Sequence, residues 1–272
     1  MRKLISLLII STLLFSVAAC RKTVTLTVLH TNDTHSQVEP NSKDLGGYAR
    51  RMGLIEQERA IDPELLLVDA GDFCQGTPYF NYYRGRVEID AMNRMGYDAA
   101  TLGNHEFDNG LDTLAVILKM AHFPVVCANY DFTGTALEDI IKPWCIVEKK
   151  GLKIGIFGLG VSPYGLIAEK NFAPAKYLPP YEAAEKCVRE LKEQGCDLIL
   201  CLSHIGTYRL DDETAPYDVE MAQKVAGIDG IIGGHTHQVY DLTIPNPEGR
   251  PIPVRQTGKS GPYLGKIMFN LK

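Results

Sequence analysis

Several features are missing from this sequence, and each absence narrows its class. No basic stripe is present: 28 Lys and Arg stand against 33 Asp and Glu, a formal charge of −5, which excludes the cationic surface of a nucleic-acid binder. There is no internal repeat and no low-complexity linker. With 45% apolar and 22% charged residues, the chain is not disordered, collagen-like or coiled coil. Neither a G-x-S-x-G elbow nor a P-loop occurs, so a serine nucleophile and a Walker-type phosphate cradle are both excluded. Past residue 19 no long apolar run remains. Six cysteines follow Cys20 (Cys74, Cys127, Cys145, Cys187, Cys196 and Cys201), and their spacing fits neither a zinc ribbon nor a dense disulfide framework. Scattered buried thiols are the expectation. What is present is 272 residues of ordinary globular composition, enough for one large α/β domain.

The N-terminus reads as an address. Arg2 and Lys3 precede an apolar stretch, residues 4–19, that ends in Val17-Ala18-Ala19-Cys20. This is the charged, apolar and small-residue order of an export signal, and a cysteine directly after the small residues resembles a bacterial lipoprotein signal. That resemblance implies removal of residues 1–19 and lipidation of Cys20. It places the protein in the cell envelope, with the lipid as its only membrane contact. The competing reading is a single anchoring helix, but the run is short for a span of about 20 residues. Removal would leave 26 basic against 33 acidic residues, a net charge of −7.

Strand-like and helix-like segments alternate through the rest. Residues 23–30 (TVTLTVLH) alternate as a half-buried strand does, and 65–69 (LLLVD) read as a short buried one. Helices are expected over 47–60, 87–95, 111–121, 181–194 and 217–226. Leu111, Leu114, Ala115 and Leu118 form one apolar stripe, and Ala184, Cys187, Val188 and Leu191 another. Further strands are expected at 98–102, 125–128, 197–203, 230–233, 252–256 and 263–271, with 144–148 and 152–158 joined as a hairpin through Lys149-Lys150-Gly151. The Pro-rich stretches 174–180 and 245–253 read as surface loops. This order implies an α/β fold with mixed sheets.

The chemistry collects just past the strand ends. Asp33 and His35 follow the first strand, Asp72 follows the second, and Asn104, His105 and Glu106 follow the weak strand over 98–102. His204 caps the strand over 197–203, and His235 and His237 close Gly233-Gly234-His235-Thr236-His237. In open α/β sheets ligands bind in the crevice beyond the carboxyl ends of the strands. Any one of these residues is weak evidence, since a turn Asp or His usually caps a helix or bonds a loop. However, five of the seven histidines lie in these loops, which makes the set a metal-site pattern. Imidazole, carboxylate and amide donors without thiolate suit Zn, Mn, Fe or Co rather than Ca or soft copper. The remaining two histidines read as structural: His30 packed or hydrogen-bonded, His122 on the surface. Cys74 reads as packing. Tyr79, Phe80, Tyr82 and Tyr83 read as core or helix packing, or as pocket lining.

The strings HTNDTHSQVEP, DAGDFCQGTPYFN, TLGNHEFDNG and GGHTH resemble the 5′-nucleotidase branch of the calcineurin-like metallophosphoesterases, which includes 2′,3′-cyclic phosphodiesterases. The resemblance runs from about Val24 to the chain end. It implies an α/β/β/α sandwich of two mixed β-sheets flanked by helices, holding two divalent metal ions. One ion would be held by Asp33, His35, Asp72 and His237, the other by Asp72, Asn104, His204 and His235, with Asp72 bridging through its two oxygens. It also implies in-line attack of a metal-bridging hydroxide on a nucleotide phosphoester, with His105 protonating the leaving-group oxygen or stabilising the equatorial oxygens, and Asp108 orienting His105. Glu106 would be a supporting hydrogen-bond acceptor. His237 departs from the Gln found in many nucleotidases of this branch, which bears on metal preference. Full-length nucleotidases carry a second, substrate-reading domain, whereas only 35 residues follow His237 here. The expectation is therefore a single metallophosphoesterase domain over 20–272 without a C-terminal nucleotide-binding domain, and a separate polypeptide resembling it as a candidate partner. Two alternatives stay open: a stand-alone phosphomono- or diesterase on non-nucleotide substrates, and a non-catalytic metal-binding lipoprotein subunit.

Overall fold

The computed structural model describes residues 23–206 and 217–271; the expected export segment and Cys20 lie outside the described residues. The first half runs β1 (Val24–Thr31), α1 (Tyr48–Ile61), β2 (Leu66–Asp69), α2 (Pro78–Tyr83), α3 (Arg86–Met95), β3 (Ala99–Thr101), a 3₁₀ turn (His105–Phe107), α4 (Gly110–Leu118), β4 (Val125–Val126) and β5 (Tyr130–Asp131). The second half runs β6 (Trp144–Lys149), β7 (Leu152–Leu159), α5 (Glu169–Phe172), β8 (Lys176–Tyr177), α6 (Pro180–Glu193), β9 (Leu198–Ser203) and α7 (Asp218–Lys224). It closes with β10 (Gly230–Ile232), β11 (Val239–Pro245), β12 (Pro251–Thr257) and β13 (Gly265–Leu271).

These strands form two main sheets. One has the order β13-β1-β2-β3-β4, the other β11-β12-β10-β9-β7-β6, and β5 pairs with β8 separately. In the first, β1 to β4 are parallel and β13 is antiparallel to β1. In the second, β12, β10, β9 and β7 are parallel, with β11 and β6 as antiparallel edges. Both sheets are thus mixed, and in each the parallel core ends at the same rim.

Side-chain parity converts the strand sequences into layers. Leu26, Val28, Leu66 and Val68 pack with Ile154, Ile156, Leu198, Leu200 and Leu202 between the sheets. The alternate residues Leu29, Leu65 and Leu67 pack outward against Ile55, Ile89, Leu114 and Leu118 of α1, α3 and α4. On the far side Phe157, Ile199, Cys201 and Ile231 pack against Ala184, Val188 and Leu191 of α6 and Met221 of α7. Apolar residues on both faces are what a strand buried on both sides requires. Three apolar layers give the α/β/β/α sandwich. The apolar stripes expected on α4 and α6 are the buried faces of those helices.

Several details differ from expectation. The hairpin loop is Lys150-Gly151, both at positive φ (54° and 74°), as a two-residue turn matching strand twist requires. Strand β11 carries no strong sequence signal, because its alternation is half-exposed and polar. The stretch 245–253 is therefore a hairpin connection and not a plain loop. Pro251 and Pro253 lie outside the Val254–Arg255 stretch that pairs with β10, so their missing N–H groups break no bond of that ladder. Helix α2 is likewise additional to the expected elements: Phe80 is buried, but Tyr82 and Tyr83 are 81% and 53% exposed, so packing accounts for one ring only. The six cysteines are free thiols, and four are buried. Among the described residues no helix is long and apolar enough to cross a membrane.

His122 is on the surface. His30 is packed, with Nδ1 buried and lacking a hydrogen-bond partner. Burial, and then the charge of Arg255, lower its pKa to about 3. The unfolded chain takes up this proton near pH 6.5, while the folded chain stays neutral until about 3. Stability is therefore complete above 6.5 and lost as pH falls, at up to roughly tenfold in the folding constant per pH unit. Denaturant unfolding of His30→Leu between pH 6.5 and 4 is expected to show a shallower decline than wild type.

Candidate metal centre

The loops after β1 and β2 stay paired past the strand ends. Ala70 N–H donates to Thr31 O (2.9 Å), Asp33 N–H to Gly71 O (2.9 Å) and His35 N–H to Asp72 O (3.0 Å). This carries Asp33, His35 and Asp72 to the rim together. The backbone there is unusual: Asp33 (φ 48°), His35 (46°), Asp72 (56°), His235 (74°) and His237 (57°) are all left-handed. Such conformations cost a non-glycine residue roughly 1 kcal/mol or more and persist only where surroundings over-determine them. Five of the seven expected ligands share this strain, which marks the loops as built for their side chains and not for chain economy. Gly234 makes room at the seam, since a Cβ there would meet His204 Nδ1 at 2.7 Å and Asp33 Oδ2 at 3.0 Å.

All seven expected ligands converge. Asp33, His35, Asp72 and His237 form a first set whose ligand atoms lie within 4.8 Å of one another. His35 Nε2 and His237 Nε2 are 3.0 Å apart, and His237 Nε2 is 3.2 Å from Asp33 Oδ1. Two imidazole nitrogens so close must share a proton or a cation. In the second set His204 Nε2 lies 3.1 Å from Asp72 Oδ2, and His235 Nδ1 lies 3.1 Å from Asn104 Oδ1. Asp72 lies between the two sets. Oδ2 lies 3.8 Å from His35 Nε2 and 3.1 Å from His204 Nε2, and Oδ1 also accepts the His105 backbone N–H (2.9 Å).

The donor chemistry fits a cation. His204 Nδ1 donates to the Ala70 carbonyl (2.7 Å), which can only accept, so the tautomer is fixed and the lone pair is on Nε2 when the ring is neutral. That Nε2 is buried and lacks an aligned hydrogen bond. Burial disfavours the charged ring, yet Asp72 and Asp33 outweigh it and raise His204 to about 10. Burial works in the same way against the Asp72 carboxylate, and His204 holds it well below the usual carboxylate range. His35 and His235 are lowered to about 4, chiefly by burial, and so remain neutral nitrogen donors. The cluster attracts positive charge and offers lone pairs to receive it.

His105 and Asp108 stand beside the cluster. His105 Nδ1 is 2.9 Å from Asp108 Oδ2, and its ring packs edge-on to His35 at 5.3 Å between centroids. Glu106 is a hydrogen-bond acceptor as expected: Oε2 takes the N–H of Asp72 (2.9 Å) and Gly103 (2.6 Å), Oε1 that of Cys74 (3.0 Å). Cys74 also turns its buried thiol to Glu106, and burial, then the charge of that carboxylate, push the thiol well up. Two further residues, Asn32 and Gln256, are buried against the ligand loops without having stood out in the sequence. Asn32 sits inside the quoted NDTH string, but Gln256 lies 19 residues past His237 with no local pattern to flag it.

Known proteins are similar to this chain in sequence and fold. A snake venom 5′-nucleotidase from Naja atra is 37% identical over 89% of this chain and 49% of its own length. A probable 5′-nucleotidase from Treponema pallidum is 32% identical over 89% and 44%. The crystal structure of a 5′-nucleotidase precursor from Thermus thermophilus superposes with TM-score 0.83 at 36% identity, covering 90% of this chain and 51% of that one. The calcineurin-like phosphoesterase YfkN from Bacillus subtilis gives 0.78 at 30% identity, covering 92% and 86%. The chain spans about half the length of the curated relatives it matches. The calcineurin-like phosphoesterase family model matches residues 26–239, a stretch containing every side chain of the cluster, and the chain belongs to that family.

Proposed function

We propose that the chain is a metal-dependent phosphoester hydrolase acting on nucleotides, like the 5′-nucleotidases it is similar to. The observation that carries this reading is the convergence of seven donor side chains from both sheets, with the His105–Asp108 pair alongside. Asp33, His35, Asp72 and His237 would hold one divalent ion, and Asp72, Asn104, His204 and His235 the other. Zn, Mn, Fe or Co suits these donors. Bound, the pair supplies Lewis acidity, screening phosphate oxygens and acidifying water enough to attack near neutral pH.

His105 handles the leaving group. Burial opposes its charged form, but the hydrogen bond to Asp108 and the Asp72 charge prevail, and its pKa lies above the ordinary histidine value. With Nδ1 committed to Asp108, Nε2 carries the proton passed to the leaving oxygen as the P–O bond breaks. Asp72→Ala is expected to lose metal and turnover together, by elemental analysis and aryl phosphate hydrolysis. His105→Ala is expected to keep both ions and lose about 10²–10⁴ in kcat. Full turnover by metal-loaded His105→Ala would remove this residue from the mechanism.

We also propose that leaving-group recognition draws on surface outside this domain, whether in the same chain or in a separate polypeptide; the relatives, of which this chain spans about half, are the reason to look there. Metal-reconstituted residues 21–272, assayed with and without a candidate partner, are expected to hydrolyse an aryl phosphate alone and to gain AMP or 2′,3′-cyclic AMP hydrolysis with it. Nucleotide preference in the domain alone would assign recognition to this chain. No hydrolysis of any ester would leave a metal-binding subunit. Finally, the apolar stretch ending at Cys20 supports export and lipid anchoring at the envelope. Cys20→Ser is expected to move the protein from the membrane to the soluble fraction, and unchanged fractionation would oppose the lipid.

A further inference from the structure

The metal cluster straddles the two sheets. Asp33 and His35 hang from β1 of one, His235 and His237 follow β10 of the other. The apolar layer between sheets sets a spacing of about 10 Å, but a working ligand set needs placement within about 0.5 Å. A polar clasp at the end of β12 makes the closer connection.

Asn32, 1% exposed, uses both ends of its amide. Its Oδ1 accepts from the Thr257 N–H (2.8 Å) and the Thr257 hydroxyl (2.6 Å). Its Nδ2 donates to Gly258 O (2.9 Å) and to Asp33 Oδ2 (2.6 Å). The adjacent Gln256 reaches the other ligand loop. Its Nε2 donates to Gly234 O (2.8 Å), while its Oε1 accepts from the Gln238 N–H (2.8 Å) and the Thr236 hydroxyl (3.0 Å). Backbone bonds close the ring: Ser260 N–H to Asp33 O (2.7 Å) and Gly258 N–H to Gln238 O (3.0 Å). Three consecutive residues, Gln256-Thr257-Gly258, therefore grip a ligand loop from each sheet.

We propose that Asn32 and Gln256 are positioning residues that fix Asp33 of one sheet against His237 of the other, without touching ion or substrate. The inference rests on the metal-dependent reading above. The His235 N–H is shared by both Asp33 oxygens (3.1 Å to Oδ1, 3.0 Å to Oδ2), so the Asn32 bond to Oδ2 (2.6 Å) is what sets the carboxylate's rotation and turns Oδ1 to the cluster, where it meets His237 Nε2 at 3.2 Å. Asn32→Asp keeps the size and the Thr257 bonds but sets an oxygen against Asp33 Oδ2, which frees the carboxylate to turn away. Bonds to the groups behind a metal ligand are typically worth 10–100-fold in metal affinity.

The test is a Mn²⁺ or Zn²⁺ titration against a competing chelator, with metal content by mass spectrometry. In Asn32→Asp one of the two ions is expected to bind about 10–100-fold more weakly while the other stays near wild type. Gln256→Glu, which removes the donor to Gly234, is expected to weaken the same ion. Should Asn32→Asp fail to fold, Thr257→Val, lacking one hydroxyl donor to Asn32, stands in with an expected loss of about 2–10-fold. Wild-type affinity for both ions in these variants, or equal weakening of both, overturns the clasp. Wild-type protein that takes up no divalent ion overturns the metal-dependent reading itself, and the clasp with it.

Discussion

Two carboxylates buried side by side set the terms for everything at this rim. The side chains of Asp33 and Asp72 are 0% and 2% exposed, and both lie within 4 Å of His35 and His204. Like charges out of water are tolerated only when positive charge sits among them. Proton-bearing His204 supplies some of it, which is why its ring is raised to about 10 against the pull of burial. A cation supplies it better, because the same carboxylates and the neutral nitrogens of His35 and His235 can all face it. The fold then reads as a device for holding these two groups together. Parallel strands deliver them to one rim, left-handed turns aim them, and Glu106 binds the loops after β2 and β3 through three backbone N–H groups.

That device has a mechanical cost spread over many bonds. Five residues of the cluster in left-handed backbone represent several kcal/mol of local strain. The compensation lies in the apolar layers, where nearly every strand residue of β2 and β9 is buried on one face or the other. A sandwich with three apolar layers can hold a strained rim that a smaller domain could not.

Much of this was legible in the sequence because the information was local. Asp33 and His35 sit two residues apart after an alternating strand, Gly103 to Glu106 form one tetrapeptide, and the parity of Leu198 to Leu202 announces a strand buried on both faces. What escaped was non-local or contextual. Strand β11 alternates half-exposed and polar residues, and is a strand because β12 lies beside it. Helix α2 is six residues long, too short for periodicity to register. Asn32 and Gln256 are 224 positions apart, and only the folded chain reveals that one strand end joins them to both ligand loops. At Asp72, likewise, only the folded chain shows that Oδ1 takes the His105 N–H.

Exposure divides the centre into a closed half and an open one. The side chains of Asp33, Asp72 and His204 are sealed, whereas those of His105 (29%), Asp108 (36%) and His237 (34%) face solvent. On the proposed reading this division follows the chemistry except at His237, an ion-holding group on the open side. Groups that hold charge gain from a dry setting, where each interaction is strengthened. A group that hands a proton to a departing alcohol must meet that alcohol, which approaches and leaves through water. The rigid, buried part therefore concerns the phosphoryl group, common to every phosphoester, and the open part concerns the leaving group, which differs between esters. Selectivity among esters is then decided on the His105 side of the rim, by whatever surface stands opposite that ring.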